Sequence, residues 1–98
     1  MKPYTKTYMK YFGYDTSDWI PCECQCGNQA TDIHHLEPRS RAKAKVNLID
    51  NLMALCRSCH DRCGSDYIFN EWAKVIHRQK LLSVKTDFER EDYLQPDK

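Results

Sequence analysis

The chain has 98 residues, with 15 Lys and Arg against 14 Asp and Glu and a net charge of +1. That length allows a single domain with a modest core, which a structural metal or disulfides would be expected to supplement. No apolar run approaches the about 20 residues that cross a bilayer, and the polar, basic opening Met1-Lys2-Pro3-Tyr4-Thr5-Lys6 predicts neither a secretory leader nor a membrane anchor. A cytoplasmic protein is the expectation.

In chain order, residues 3–12 allow a short helix without a clean amphipathic period, and Phe12-Gly13-Tyr14-Asp15 reads as a turn. A first cysteine cluster, Cys22-Glu23-Cys24-Gln25-Cys26, leads to a tight turn at Gly27-Asn28. Residues 30–35 predict a short strand with Ile33 facing the core. Glu37-Pro38 ends it, and the charged stretch 38–47 is a loop or short helix. Leu48 to Leu55 is apolar enough for a second strand.

A second cysteine cluster, Cys56-x-x-Cys59, opens a short helix from Ser58 or Cys59 through Arg62, stopped at Gly64. A helix over about 66–80 follows, capped by Ser65 or Asp66, with Ile68, Trp72, Val75 and Ile76 on one face as a core-packing brace. His77 reads as a surface or packing residue. The charged tail over about 87–98 predicts disorder.

Six cysteines in two tight clusters predict metal binding more than a disulfide scaffold. Cys56 and Cys59 have the two-residue spacing that lets two sulfurs converge from one turn, as tetrahedral zinc requires. The other half-site pairs Cys26 with Cys22 or with Cys24, and the Cys22 pairing is the usual spacing with one residue inserted. Cys63 is left as a free thiol or a neighbour of the histidines.

His34 and His35 are adjacent on a strand, so they point to opposite faces and should not share one task. One can hold a cation while the other handles water. His60 directly follows Cys59, so the metal knuckle would set its position. Phosphodiester hydrolysis needs both a base for water and a cation for the developing charge, and imidazole suits the base. Arg39, Arg41, Lys43, Lys45, Arg57 and Arg62 surround these histidines as candidate phosphate contacts, Arg57 and Arg62 foremost.

Asp32-Ile33-His34-His35, Asp50-Asn51-Leu52-Met53-Ala54-Leu55-Cys56 and Arg57-Ser58-Cys59-His60 resemble the HNH endonucleases, in particular the small four-cysteine type of bacteriophages and bacteria. The resemblance covers about residues 19–63. It implies an α+β fold of the ββα-metal kind: a hairpin crossed by a helix, with a zinc knuckle and flanking helices, in one nuclease domain over 1–98. It further implies that His35 is the general base, that His34 and His60 hold a catalytic ion, and that Asn51 pins the loop and orients His35 or approaches the metal.

Cys56, Cys59, Cys26 and Cys22 (or Cys24) would hold structural zinc. Where colicin-type members have a further metal-binding histidine, this chain has Gly64. An open shell of that kind suits Mg²⁺ or Mn²⁺, and histidine ligands also accept Ni²⁺, Co²⁺ or Zn²⁺.

The implied function is a DNA endonuclease with little intrinsic sequence specificity, acting in a bacterial or phage-infected cell. Specificity would come from a packaging or other partner, from a second copy or from DNA structure. The alternatives are a non-catalytic zinc-knuckle module binding nucleic acid or protein, and a hydrolase acting on RNA or another phosphodiester.

Overall fold

Four consecutive buried residues, Leu52-Met53-Ala54-Leu55, form strand β2 at the centre of the computed structural model, which describes residues 2–84. β2 pairs antiparallel with β1 (Asp32–His35), with Asp32 opposite Leu55 and His35 opposite Leu52. Side chains alternate across a strand. Leu52 and Ala54 therefore enter one core with Tyr8, Tyr11, Ile49 and Leu81, while Met53 and Leu55 enter another with Cys22, Leu36, Cys56, Cys63 and Ala73. The hairpin is covered on both faces, so β2 has no polar side.

Helix α1 (Pro3–Phe12) covers the first face, and its Pro at the start of the helix costs no hydrogen bond there. A short α2 (Arg39–Ala42) and two 3₁₀ turns, Lys43–Lys45 and Ile49–Asn51, connect the strands. Helices α3 (Arg57–Ser65) and α4 (Tyr67–Ser83) cover the second face. The cysteine-bearing loop is laced to the hairpin through Glu23 N to Ala54 O at 2.9 Å and Thr31 N to Leu55 O at 3.0 Å.

Several boundaries depart from expectation. β1 begins at Asp32, and β2 occupies only the second half of 48–55, because Ile49–Asn51 forms a 3₁₀ turn. α3 starts at Arg57 and runs past Gly64 to Ser65, since nothing presses on Gly64 and its φ is helical. Asp66 then caps α4, accepting from Phe69 N at 3.1 Å. The charged tail over 87–98 lies outside the described residues.

The larger correction concerns α4. Ile68, Trp72 and Val75 are 78%, 42% and 54% exposed, and of the predicted apolar face only Ile76 packs against the core. The buried stripe is Ala73, His77 and Leu81, spaced four residues apart. A small residue and a histidine occupy the inward positions, so hydrophobicity points to the wrong side of the helix.

His77 is buried, not on the surface, and is part of a polar network. Its Nδ1 meets Glu23 Oε1 at 2.7 Å and its Nε2 donates to Ile49 O at 2.8 Å. Glu23 Oε2 accepts from the Tyr8 hydroxyl and from Ala54 N, the latter at 3.1 Å. Burial first, and then the Glu23 charge, push the Tyr8 phenol far above its usual range, so it remains a donor. One carboxylate thus joins α1, β2, α4 and the cysteine loop.

Removing one member of a buried pair strands the other, a loss of about 3–5 kcal/mol. His77→Ala should lower stability by that amount in urea unfolding, whereas Ile68→Ala, on the solvent side, should stay within about 0.5 kcal/mol of wild type.

Candidate active site and metal centre

The Sγ atoms of Cys22, Cys26, Cys56 and Cys59 all lie within 4.8 Å of one another. Cys26 Sγ is 3.7 Å from Cys56 Sγ and 3.9 Å from Cys59 Sγ. Four sulfurs around a tetrahedral zinc, with Zn–S near 2.3 Å, stand about 3.8 Å apart, so this donor set fits zinc. The alternative of Cys24 in place of Cys22 is set aside, because Cys24 is not in the group.

Gly27, at φ +87°, and Gln25, at φ +62°, bend the first loop so that Cys26 reaches its partners. The Cys59 backbone N–H, bonding to the Cys56 sulfur, lowers the Cys56 thiol to about 7, and Asn28 Nδ2 approaches the same sulfur at 3.9 Å. Cys63 is buried in the core that also takes Cys22 and Cys56.

The two strand histidines separate as alternation dictates. His34, paired with Met53, faces α3 and α4. Its ring centroid is 5.1 Å from that of His60, on α3. His60 Nδ1 donates to Asp32 Oδ2 at 2.9 Å. Asp32 lies two residues before His34 and therefore on the same face of β1.

His34 Nε2 donates to Asn70 Oδ1, on α4, at 2.7 Å. Burial, more than any neighbour, holds the His34 pKa below the ordinary imidazole value, opposed by the Asn70 bond and assisted by His60 and His35. The ring is therefore neutral near pH 7 and carries a lone pair.

His35 lies on the other face. Its Nε2 donates to Asn47 Oδ1 at 2.9 Å, and Tyr4 packs edge-on against it with centroids 4.6 Å apart. The Asn51 side chain makes no hydrogen bond to His35. Its Oδ1 accepts from Glu37 N at 2.7 Å, and its Nδ2 donates to Glu37 O at 3.0 Å and Val46 O at 2.8 Å. These bonds tie the loop to itself, and the side chain that accepts a hydrogen bond from His35 is Asn47. Lys74 of α4 ties down the same loop through Glu37, and its ammonium holds the Glu37 carboxyl below the usual range.

Of the candidate phosphate contacts, Arg57 donates to Asp32 Oδ1 at 3.3 Å and Arg41 pairs with Glu37 at 3.6 Å. Arg62 lies over the Phe69 ring at 4.2 Å, and Arg39 is exposed on α2. A notch of about 400 Å³ opens beside His60, walled by Lys2, Tyr4, Asp32 and Arg57. It brings α1 to the edge of the histidine site.

This arrangement of hairpin, crossing helix, paired histidines and thiolate knuckle coincides with a family match: residues 21–66 fit the family model of the HNH endonucleases. Over residues 21–66 the chain is similar to HNH domains. Neither a curated protein nor a solved structure matches it. The HNH match begins just before Cys22 and ends at Asp66, so it takes in the thiolate cluster and all three of His34, His35 and His60. It leaves out α1 and α4, which supply Tyr4 and Asn70.

Asp32, Asn47 and Asn70 were not assigned roles in advance. The period of two along β1 could have singled out Asp32. Asn47 and Asn70 carry no local signal, because only the tertiary fold brings them to the histidines.

The thiolate geometry gives a direct test. Cys24→Ser should retain a full complement of zinc by elemental analysis. Cys26→Ser should lose the metal and unfold, as should the wild type in a strong chelator.

Proposed function

We propose that the protein is a metal-dependent endonuclease that hydrolyses phosphodiester bonds of duplex DNA with little intrinsic sequence specificity. The observation carrying this reading is the division of the histidines by β1: His34 and His60 face one another on the α3 side, and His35 stands on the opposite face beside Asn47.

His34 and His60 each give one ring N–H to a protein acceptor and keep a lone pair on the other nitrogen. Two imidazoles with open positions around them suit a divalent ion that also takes oxygen ligands, Mg²⁺ or Mn²⁺ foremost, with Ni²⁺, Co²⁺ and Zn²⁺ also compatible. When bound, such an ion supplies charge neutralisation at the phosphate and the leaving oxygen. Zinc in the four-thiolate cluster would have the structural role of fixing the start of α3 and hence His60.

His35 donates through Nε2 to Asn47, so the lone pair of Nδ1 is available to accept a proton from water. The water oxygen bonds to phosphorus as His35 takes that proton. The P–O3′ bond then breaks, and the departing 3′ oxygen is protonated from solvent, leaving 5′-phosphate and 3′-hydroxyl ends. Arg57, beside the notch, with Arg62, Arg39 and Arg41, would contact flanking phosphates. A phage packaging or other partner, or a second copy, would supply sequence choice in the cytoplasm of a bacterial or phage-infected cell.

Supercoiled plasmid incubated with zinc-loaded protein and Mg²⁺, Mn²⁺ or Ni²⁺ tests the reading. Open-circle or linear product should require the added ion, vanish in EDTA, and fall by about 10²–10⁴-fold in His35→Ala. A folded, zinc-loaded protein that binds DNA without cutting it under any ion would instead be a non-catalytic knuckle module. Cleavage that persists in His35→Ala would assign the base to another residue.

A further inference from the structure

We infer that Asn70 is a positioning residue that fixes the tautomer of His34 and thereby presents the His34 Nδ1 lone pair to the divalent ion. This inference rests on the proposed role of His34 as an ion ligand, and it adds α4, which begins where the HNH match ends, to the site.

The argument is one of donors and acceptors. Asn70 Nδ2 is 3.0 Å from Leu36 O, and a carbonyl can only accept. The amide group facing Leu36 must therefore be the NH₂, which turns Oδ1 toward His34 at 2.7 Å. An amide oxygen also only accepts, so His34 Nε2 must carry the proton. The opposite tautomer would set two lone pairs against each other at that distance.

With Nε2 protonated, Nδ1 of a neutral ring is the sole ligating atom. His60 obeys the same logic, because the Asp32 carboxylate can only accept, and Nε2 of His60 is left free. Each histidine thus has one ring nitrogen committed, Nε2 in His34 and Nδ1 in His60, the arrangement by which second partners orient metal-binding imidazoles.

Asn70 is itself held in place. Its backbone N–H donates to Asp66 O at 3.0 Å in the first turn of α4, where Asp66 caps the helix. Leu36 directly follows His35, so the Asn70 amide spans from the ligand histidine to the residue after the proposed base.

Two measurements on the zinc-loaded protein test this together. Long-range ¹H–¹⁵N spectra report which His34 nitrogen bears the proton, and calorimetric titration with Mn²⁺ reports affinity at the histidines, with His60→Ala as the reference for its loss. Wild type should show Nε2–H. Asn70→Ala should lose that preference and bind Mn²⁺ about 10–100-fold more weakly. Asn70→Asp still accepts from His34 but cannot donate to Leu36, so it should keep the tautomer and most of the affinity, which a purely structural tether would not.

A wild-type His34 protonated on Nδ1 overturns the inference, and that spectrum decides the matter even where a variant misfolds. Unchanged Mn²⁺ affinity in Asn70→Ala overturns it alone. Wild-type protein no better than His60→Ala at binding Mn²⁺ overturns it together with the catalytic-ion reading.

Discussion

The carboxylate of Glu23 is the constraint on which the rest of this small structure depends. It is buried at 6% exposure, and such a group is stable in the interior only when its oxygens are met by donors. Tyr8, Ala54 N and His77 meet them, and each comes from a different element. The spacing of α1 from α4 and the seating of the cysteine loop on β2 are set together. Because Glu23 lies next to Cys22, the polar network and the thiolate cluster share one stretch of backbone. The orientation of α4 then brings Asn70 to His34, so the buried network acts on the histidine site without touching it.

Much of the site was legible because it obeys local rules. The spacing of Cys56 and Cys59 marks a knuckle. Alternation along β1 by itself separates His34 from His35, and Asp66 is one of the two caps, with Ser65, that residue type and position offer. The hairpin and α4 were likewise visible in outline. What could not be read is long-range and polar. The inward face of α4 is marked by Ala73 and His77, while its larger apolar residues face solvent, so a rule based on hydrophobic burial selects the wrong stripe.

The choice between Cys22 and Cys24 turned on a left-handed bend at Gln25 and Gly27 that spacing does not encode. Asn51 and Asn47 illustrate the same limit from the other direction. They are four residues apart in one loop, and either could reach a histidine on paper. Asn51 is buried and spends its amide on three backbone groups of the loop, whereas Asn47 is exposed and free to turn toward His35. Depth in the fold, not residue type, divides the two.

The hairpin also determines which changes of chain length the protein can absorb. Lengthening the loop between Leu36 and Asn51 adds surface residues around an anchored end and costs little entropy. One residue inserted between Asp32 and His34 would do something else. Half of β1 would rotate to the opposite side of the sheet, sending His34 toward Tyr4 and His35 toward His60. The composition would be nearly unchanged and the two imidazoles would exchange surroundings. Divergence in this chain should therefore be free in loop length and strict in strand frame.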